Sequence, residues 1–269
     1  MELRLDYNSS YKGSSFCDLL RHNYPYILPS IISDPYSAQA VSTNIPHGTT
    51  IMALKYRDGI IMGGDRRATE GYQISSRKIE KIFRSDNLSL IGIAGAAGPC
   101  LELVRLFQTE LEHYEKLEGT VLTLEGKANK LAQMVHQNLP AALHGLIVIP
   151  IFAGYDTIAG VGRIFKYDIT GGRYEEEDYY ATGSGGKDAR NTVKKLFHPD
   201  MSQAEAISTI LEALSDAAEE DIGTGGPDLI RDIFPTIKLV TSSGLQDVPS
   251  ETIKSTYQRL LNSMKGKAG

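Results

Sequence analysis

Thr49, in the segment His-Gly-Thr-Thr at residues 47–50, is the residue whose surroundings best suit covalent chemistry. If the chain is cut between Gly48 and Thr49, one residue carries both a nucleophilic hydroxyl and a free α-amino group. Such an amine has a pKa of about 7.7–8.0, so it can act as the base for the hydroxyl near neutral pH. This pairing is a known solution to nucleophile activation. The alternative is a β-branched residue that merely begins a strand.

Two charged residues in the strand-like region after Thr49 need partners. Asp65 follows the second predicted strand, in Gly-Gly-Asp-Arg-Arg, where aspartate commonly serves to form a turn. Lys81 lies within a predicted strand, where lysine is disfavoured unless its stem packs and its ammonium group finds a partner. A strand lysine paired with a carboxylate is more often structural than catalytic. The residues alone therefore leave both interpretations open.

The elements that must position these residues begin at Thr49, where the chain becomes strand-like. Asp58-Gly59 between two apolar runs is a strong hairpin signal. Apolar residues at steps of three and four predict helices further on. Predicted strands cover 49–56, 60–65, 78–83, 88–94, 146–156 and 236–241, with 162–172 and 173–186 assigned to the second sheet. Predicted helices run from residue 100 to a stop at Gly119, from residue 124 (with Thr123 as N-cap) to Pro140, and over 187–197, 202–218 and 250–264. Strands grouped apart from helices indicate the α+β class, two sheets stacked face to face with helix pairs outside.

Composition excludes several classes of protein. Charged residues make up 23% of the chain, and a net charge of −5 with a pI of about 5.7 provides no basic field for nucleic acid. Apolar runs stay well short of the roughly 18 residues that span a membrane, and the first residues do not form a secretory signal. Two cysteines, Cys17 and Cys100, make no disulfide framework, which favours a reducing cytoplasm. The six histidines show no zinc-site spacing, so no metal is expected.

Residues 1–48 differ in character from the rest of the chain. They are rich in Ser, Tyr, Asn and Pro, and four prolines interrupt any helix. A disordered tail and a removable pro-segment both explain this composition. The second interpretation divides the chain into a pro-segment, 1–48, and a catalytic domain, 49–269.

Several segments after residue 46 match a known family. They are HGTT at 47–50, GGDRRAT at 63–69, KIEKIF at 78–83, GIAGAAG at 92–98, LEHYEKLEG at 111–119, GSGG at 183–186 and DIGTGGPDLIRDIFPT at 221–236. In these segments the chain resembles the β subunits of bacterial, actinobacterial-type proteasomes, which are N-terminal-nucleophile hydrolases. The resemblance covers Thr49 to the last helix. It implies a four-layer αββα sandwich of antiparallel sheets, threonine endopeptidase activity and no cofactor.

The resemblance assigns roles to the site residues. Thr49 is the expected nucleophile, Lys81 lowers the pKa of its hydroxyl and amine, and Asp65 keeps Lys81 charged and aimed. Three further residues are expected to hydrogen-bond around the amine of Thr49: Ser184, Asp221 and Thr224. At position 224 many relatives have serine, but threonine keeps the hydroxyl, and a plain turn role for Thr224 remains a serious alternative.

The same resemblance marks residues that would contact the substrate. The backbone N–H of Gly95 is expected to face the developing oxyanion. Thr69 and Ala97 would pair with the substrate backbone as an added strand. The pocket for the residue before the cut would be lined by Ala68, Ile79 and Ile93, which predicts a hydrophobic preference. Cys100 either flanks this pocket or is a buried core residue. Gly48 is the residue before the expected self-cleavage, for which water would serve as base because no free amine exists yet.

The resemblance also implies partners. β Subunits would form seven-membered rings stacked between rings of α subunits, and a ring ATPase acting through the α ring would feed in unfolded, tagged polypeptides. Neither nucleic acid nor a membrane is expected. Three alternatives remain: a non-catalytic structural ring subunit, a two-ring ATP-dependent peptidase without α subunits, and an amidase acting on small molecules. Retention of Thr49, Asp65, Lys81 and Gly48 argues against the first, and the long leading segment argues against the second.

Overall fold

The computed structural model describes residues 48–70 and 73–267, which form strands and helices of the α+β class. The strands are β1 (Thr50–Tyr56), β2 (Gly59–Gly64), β3 (Ala68–Glu70), β4 (Gln73–Ser76), β5 (Ile82–Asp86), β6 (Ser89–Gly95), β7 (Val148–Asp156), β8 (Val161–Tyr167), β9 (Arg173–Glu176), β10 (Tyr179–Gly183), β11 (Thr236–Thr241) and β12 (Gly244–Asp247). The helices are α1 (Ala97–Glu118), α2 (Leu124–Gln137), α3 (Leu139–Ala142), α4 (Gly186–Leu196), α5 (Gln203–Glu220) and α6 (Ser250–Lys267). Apart from Gly48, the predicted pro-segment lies outside the described residues.

The fold is the four-layer αββα sandwich that the resemblance implies. One five-stranded antiparallel sheet has the order β10-β1-β2-β11-β12, and the other has the order β5-β6-β7-β8-β9. Helices α4, α5 and α6 cover the outer face of the first sheet, and α1 and α2 cover that of the second. Strands β3 and β4 form a separate hairpin. Within the part of the chain described here, no helix is both long and apolar enough to cross a membrane.

Strand β1 is buried on both faces, which explains why its sequence is a continuous apolar run rather than an alternating one. Ile51 and Ala53 point into the core between the two sheets. Met52 and Leu54 point the other way, into the core beneath the helices. Side chains alternate along a strand, so this register places Thr50 on the same face as Met52. The start of β1 is thereby fixed by packing on two sides.

Three predictions of local structure are wrong. Strand β5 begins at Ile82, so residues 78–81 lie before the strand rather than in it. The Lys81 carbonyl accepts a single hydrogen bond, from the Ile93 amide. Segment 173–186 divides between the two sheets: β9 pairs with β8 in the second sheet as predicted, but β10 pairs with β1 in the first, with Thr50 opposite Gly183. Helix α2 ends at Gln137 rather than at Pro140, and Pro140 lies in the first turn of the short helix α3, where its missing N–H is tolerated.

Candidate active site

Thr49 lies at the edge where β1 enters the first sheet, between two neighbouring turns. Its carbonyl oxygen accepts a hydrogen bond of 2.8 Å from the Ser184 amide, at the end of β10. The Asp65 amide, at the end of β2, donates to the Thr50 carbonyl at 3.0 Å. Thr49 is 5% exposed. The strand pairing therefore brings the ends of β2 and β10 to either side of Thr49.

Asp65 and Lys81 form a buried ion pair beside Thr49. The Lys81 Nζ atom lies 2.7 Å from Asp65 Oδ1, and neither residue is more than 4% exposed. The carboxylate also accepts three backbone N–H groups, from Thr50 at 2.7 Å, Arg67 at 2.8 Å and Gly225 at 3.0 Å. A buried carboxylate with this many donors is well compensated and held in one orientation.

The Gly48 carbonyl oxygen is the point at which the predicted nucleophile and the lysine meet. Thr49 Oγ1 donates to this oxygen at 2.7 Å, and Lys81 Nζ donates to it at 3.0 Å. Burial lowers the pKa of Lys81, while the ion pair with Asp65 acts in the opposite direction and favours the ammonium form. The hydroxyl and the ammonium group thus converge on one carbonyl.

A second hydrogen-bond network lies on the amide side of Thr49 and contains the other three predicted residues. Ser184 Oγ accepts from Thr49 N at 3.3 Å and donates to Asp221 Oδ2 at 2.5 Å. Thr224 Oγ1 donates to the same carboxylate oxygen at 2.5 Å. The structure therefore joins Ser184, Asp221 and Thr224 into one network that reaches the Thr49 nitrogen.

Thr50 belongs to this network, although no role was predicted for it from the sequence. Its side chain is fully buried and its Oγ1 lies 2.5 Å from Thr224 Oγ1. The Gly185 amide donates to Thr50 Oγ1 at 3.1 Å. In the sequence Thr50 is one more β-branched residue in a strand, which is why nothing set it apart.

A pocket of about 240 Å³ opens beside Thr49. Five of the residues predicted to contact substrate line it: Ala68, Ile79, Ile93, Gly95 and Ala97. Cys100, for which the sequence left a place beside the pocket open, also lines it. Three residues that were not predicted line it as well: Glu80, Phe83 and Leu101. Burial raises the pKa of Cys100 to about 12, so its thiol is protonated at neutral pH and contributes shape rather than reactivity.

Thr69 is the predicted substrate-contacting residue that lies beside Gly48 rather than on the pocket wall. A Cβ atom placed on Gly48 would lie 2.6 Å from Thr69 Oγ1 and 2.6 Å from two backbone atoms of Gly223. Real Cβ atoms do not approach backbone atoms this closely, so the passage at position 48 fits glycine. Among the described residues, no group of three or more His, Cys, Asp or Glu side chains is arranged to hold a metal ion.

Comparison with known proteins places this geometry in a family context. Residues 45–230 match the family described as proteasome subunit. The chain is 54% identical over 236 residues to a proteasome subunit beta of Acidimicrobium ferrooxidans, covering 88% of this chain and 85% of that protein. It is 48% identical over 260 residues to a proteasome subunit beta of Acidothermus cellulolyticus, covering 95% of this chain and 89% of that protein. The matched region, residues 45–230, contains all six residues that the sequence predicts to be catalytic.

Proposed function

Since the chain belongs to the proteasome subunit family, as a β subunit of the proteolytic core, we propose that it is a threonine endopeptidase that activates itself by cutting the Gly48–Thr49 bond. The observation that carries this proposal is the convergence on the Gly48 carbonyl. That oxygen receives both the Thr49 hydroxyl and the Lys81 ammonium group, which Asp65 holds in place. A nucleophile and a positive charge at one carbonyl are what acyl transfer requires.

Self-cleavage follows from this geometry in two steps. Thr49 Oγ1 turns from the Gly48 oxygen to the adjacent carbon and forms a C–O bond, while water takes the hydroxyl proton. The Lys81 ammonium stabilises the negative charge on the oxygen, and the Gly48–Thr49 C–N bond breaks as the leaving nitrogen gains a proton. This first step frees the amine of Thr49, and water then hydrolyses the ester, so that residues 1–48 leave with a carboxyl group and Thr49 regains its hydroxyl.

Substrate cleavage uses the amine that self-cleavage has released. The amine takes the Thr49 hydroxyl proton as the oxygen attacks the substrate carbonyl, and later returns a proton to the leaving nitrogen. Ser184, bonded to Asp221, holds the amine in place, and Lys81 favours the deprotonated hydroxyl. The Gly95 amide would stabilise the oxyanion, and water hydrolyses the resulting ester. No step requires a metal or an organic cofactor.

Activity of this kind requires enclosure, and the family supplies the expected partners. We assign the chain to seven-membered β rings between α rings in the cytoplasm, with a ring ATPase delivering unfolded polypeptides through the α ring. Residues 1–48 are the removable pro-segment and residues 49–269 the catalytic domain. Thr69 and Ala97 would bind the substrate backbone.

The test is co-expression with the α subunit, followed by intact mass, N-terminal sequencing and hydrolysis of a fluorogenic peptide. We expect a multi-ring particle that begins at Thr49 and hydrolyses the peptide. A fully assembled particle that keeps residues 1–48 would overturn the proposal in favour of a structural subunit. A monomer or dimer active on a small amide would indicate an amidase, and an active two-ring particle that needs no α subunit would indicate the other peptidase class.

Narrowing the pocket should change cleavage preference without affecting self-cleavage. Ala97 lines the pocket and is partly exposed, so Ala97→Leu adds volume with little cost to packing. We expect kcat/KM to fall about tenfold or more for peptides with a large apolar residue before the cut, and to change little for those with alanine. Gly48 has no side chain to place in the pocket, so the variant should still begin at Thr49. Equal losses on both peptides would contradict this assignment of the pocket.

Gly95 should not tolerate a side chain. Its φ is +127°, and a Cβ atom there would lie 2.0 Å from the Ile147 carbonyl oxygen, so Gly95→Ala must displace the end of β6. Loss of an aligned oxyanion donor predicts kcat about 10²–10³ lower. Gly98→Ala is the matched control, because a Cβ atom there meets nothing within 4 Å. Wild-type kcat in Gly95→Ala would exclude the oxyanion role.

A further inference from the structure

Thr50, the residue after the proposed nucleophile, holds two glycine-rich loops together. Here the first loop is residues 183–186 and the second is residues 221–226. The Thr50 hydroxyl contacts the first loop at the Gly185 amide, 3.1 Å away, and the second loop at Thr224 Oγ1, 2.5 Å away. One oxygen atom on β1 thus joins the loop that carries Ser184 to the loop that carries Asp221.

The hydrogen-bond directions in this network have a single consistent assignment. Ser184 and Thr224 each lie 2.5 Å from Asp221 Oδ2, and an ionised carboxylate accepts hydrogen bonds without donating any. Each hydroxyl has one proton, so both protons point at Asp221. Thr224 Oγ1 must therefore accept its bond from Thr50, and Thr50 Oγ1 in turn accepts from the Gly185 amide.

This assignment leaves the Ser184 oxygen free to accept from the Thr49 nitrogen. The competing acceptor for the Ser184 proton is the Thr49 carbonyl, at the longer distance of 3.2 Å, and it already receives the Ser184 amide. The backbone of Thr50 also connects to the other half of the site, because its amide donates to the Asp65 oxygen that binds Lys81. Thr50 is therefore in contact with both networks.

We propose that Thr50 is a positioning residue, whose hydroxyl orients Ser184 and Asp221 toward the amine of Thr49. This inference rests on the proposed function of Thr49. Replacing Thr50 with valine keeps its shape but leaves the buried Gly185 amide without its acceptor and Thr224 without its donor. Both loops then lose one of the contacts that hold them beside the Thr49 nitrogen.

The inference predicts a change in catalysis with a distinct signature. A displacement of catalytic groups by up to 1 Å costs as much as about 10²-fold in rate, so we expect kcat of Thr50→Val to fall at least about tenfold. Thr50 does not line the pocket, so KM should change little. Ser184 accepts a hydrogen bond from the Thr49 nitrogen, and in the cut chain the same bond favours the protonated form of the amine. If Ser184 is held less firmly, the pKa of the amine falls, so the acidic limb of the plot of kcat against pH should move to lower pH.

The experiment compares assembled core particles of wild type, Thr50→Val, Thr50→Ser and Thr192→Val. Thr192 is the matched control, because its buried hydroxyl also bonds a carboxylate, Asp216, at 2.5 Å, but lies between α4 and α5. N-terminal sequencing precedes the kinetics. We expect serine to restore kcat and pH profile, and Thr192→Val to lose thermal stability without changing either.

Two results would overturn it. One is an unchanged kcat and pH profile in processed Thr50→Val, and the other is a failure of serine to restore them. Either result, obtained beside an active wild type that begins at Thr49, leaves the proposed function standing. An inactive or uncut wild-type particle refutes the proposed function instead, so the two failures are distinguishable.

Discussion

Replacing Thr49 with alanine is expected to leave the chain uncut after Gly48 and to abolish peptide hydrolysis. Alanine lacks the oxygen that contacts the Gly48 carbonyl, and without cutting no free amine forms. Loss of a nucleophile that acts as a unit with its base lowers kcat by at least about 10⁴-fold. Intact mass and N-terminal sequencing of the assembled particle measure the first effect, and a fluorogenic peptide measures the second.

Thr49→Ser is the control for this experiment. Serine keeps the hydroxyl and the α-amine while losing a methyl group, so it should still be cut and should retain measurable hydrolysis. Thermal unfolding of Thr49→Ala should remain near that of wild type, because Thr49 contributes no side chain to the three apolar cores. Peptidase activity of the alanine variant above about one-hundredth of wild type would show that another group is the nucleophile.

The elements predicted well are those with local signals. The Asp58-Gly59 turn joins β1 to β2, and α1 ends at Gly119 with a φ of 68°, the left-handed conformation that glycine adopts easily. Thr123 caps α2 by accepting from the Gly126 amide, and Ser202 forms the capping box of α5 with Glu205. Each signal depends on residues within a few positions, so sequence alone is sufficient to read it.

The elements predicted poorly depend on distant partners. Strand β10 joins the first sheet because β1 offers it an edge, and nothing within residues 173–186 distinguishes the two sheets. Hairpin β3–β4 has mostly polar residues and strand β12 has four residues, so neither has a clear apolar period. The apolar residues around Lys81 predict a strand there, whereas the Lys81 backbone makes a single hydrogen bond to β6.

The candidate site shows the same division. Resemblance to the family named six residues, and the structure brings them into two networks although Ser184 lies 135 positions from Thr49. Spacing in the sequence could not show that Asp65 would accept hydrogen bonds from three backbone amides. One of these amides, that of Gly225, belongs to the second loop, residues 221–226, which only the fold brings to the end of β2. The sequence does not distinguish Thr50 from other strand residues, for a related reason. A threonine in a strand gives the same sequence pattern whether its hydroxyl makes no specific contact or hydrogen-bonds to two loops.

Replacing Lys81 with methionine is expected to slow self-cleavage by about 10²–10³-fold or more, and a chain that stays uncut has no free amine with which to hydrolyse peptide. Methionine matches the lysine stem but removes the charge at the Gly48 carbonyl, and one electrostatic donor is typically worth that much. The variant also leaves Asp65 buried without its counter-ion. Removing one partner of a buried pair costs about 3–5 kcal/mol, and the three backbone donors to Asp65 favour the lower end. Urea unfolding and peptide hydrolysis measure the two effects.

The double variant Asp65→Asn with Lys81→Met separates charge from stability. It removes both charges, so it should recover part of the lost unfolding free energy without recovering hydrolysis. Lys127→Met is the matched control, because Lys127 is also buried and pairs at 2.5 Å with Asp86, which lies at the opposite end of β5 from Lys81. It should lose stability and keep activity. If the double variant hydrolysed peptide at a rate near that of wild type, the charge of Lys81 would have no part in catalysis, and its pairing with Asp65 would be structural alone.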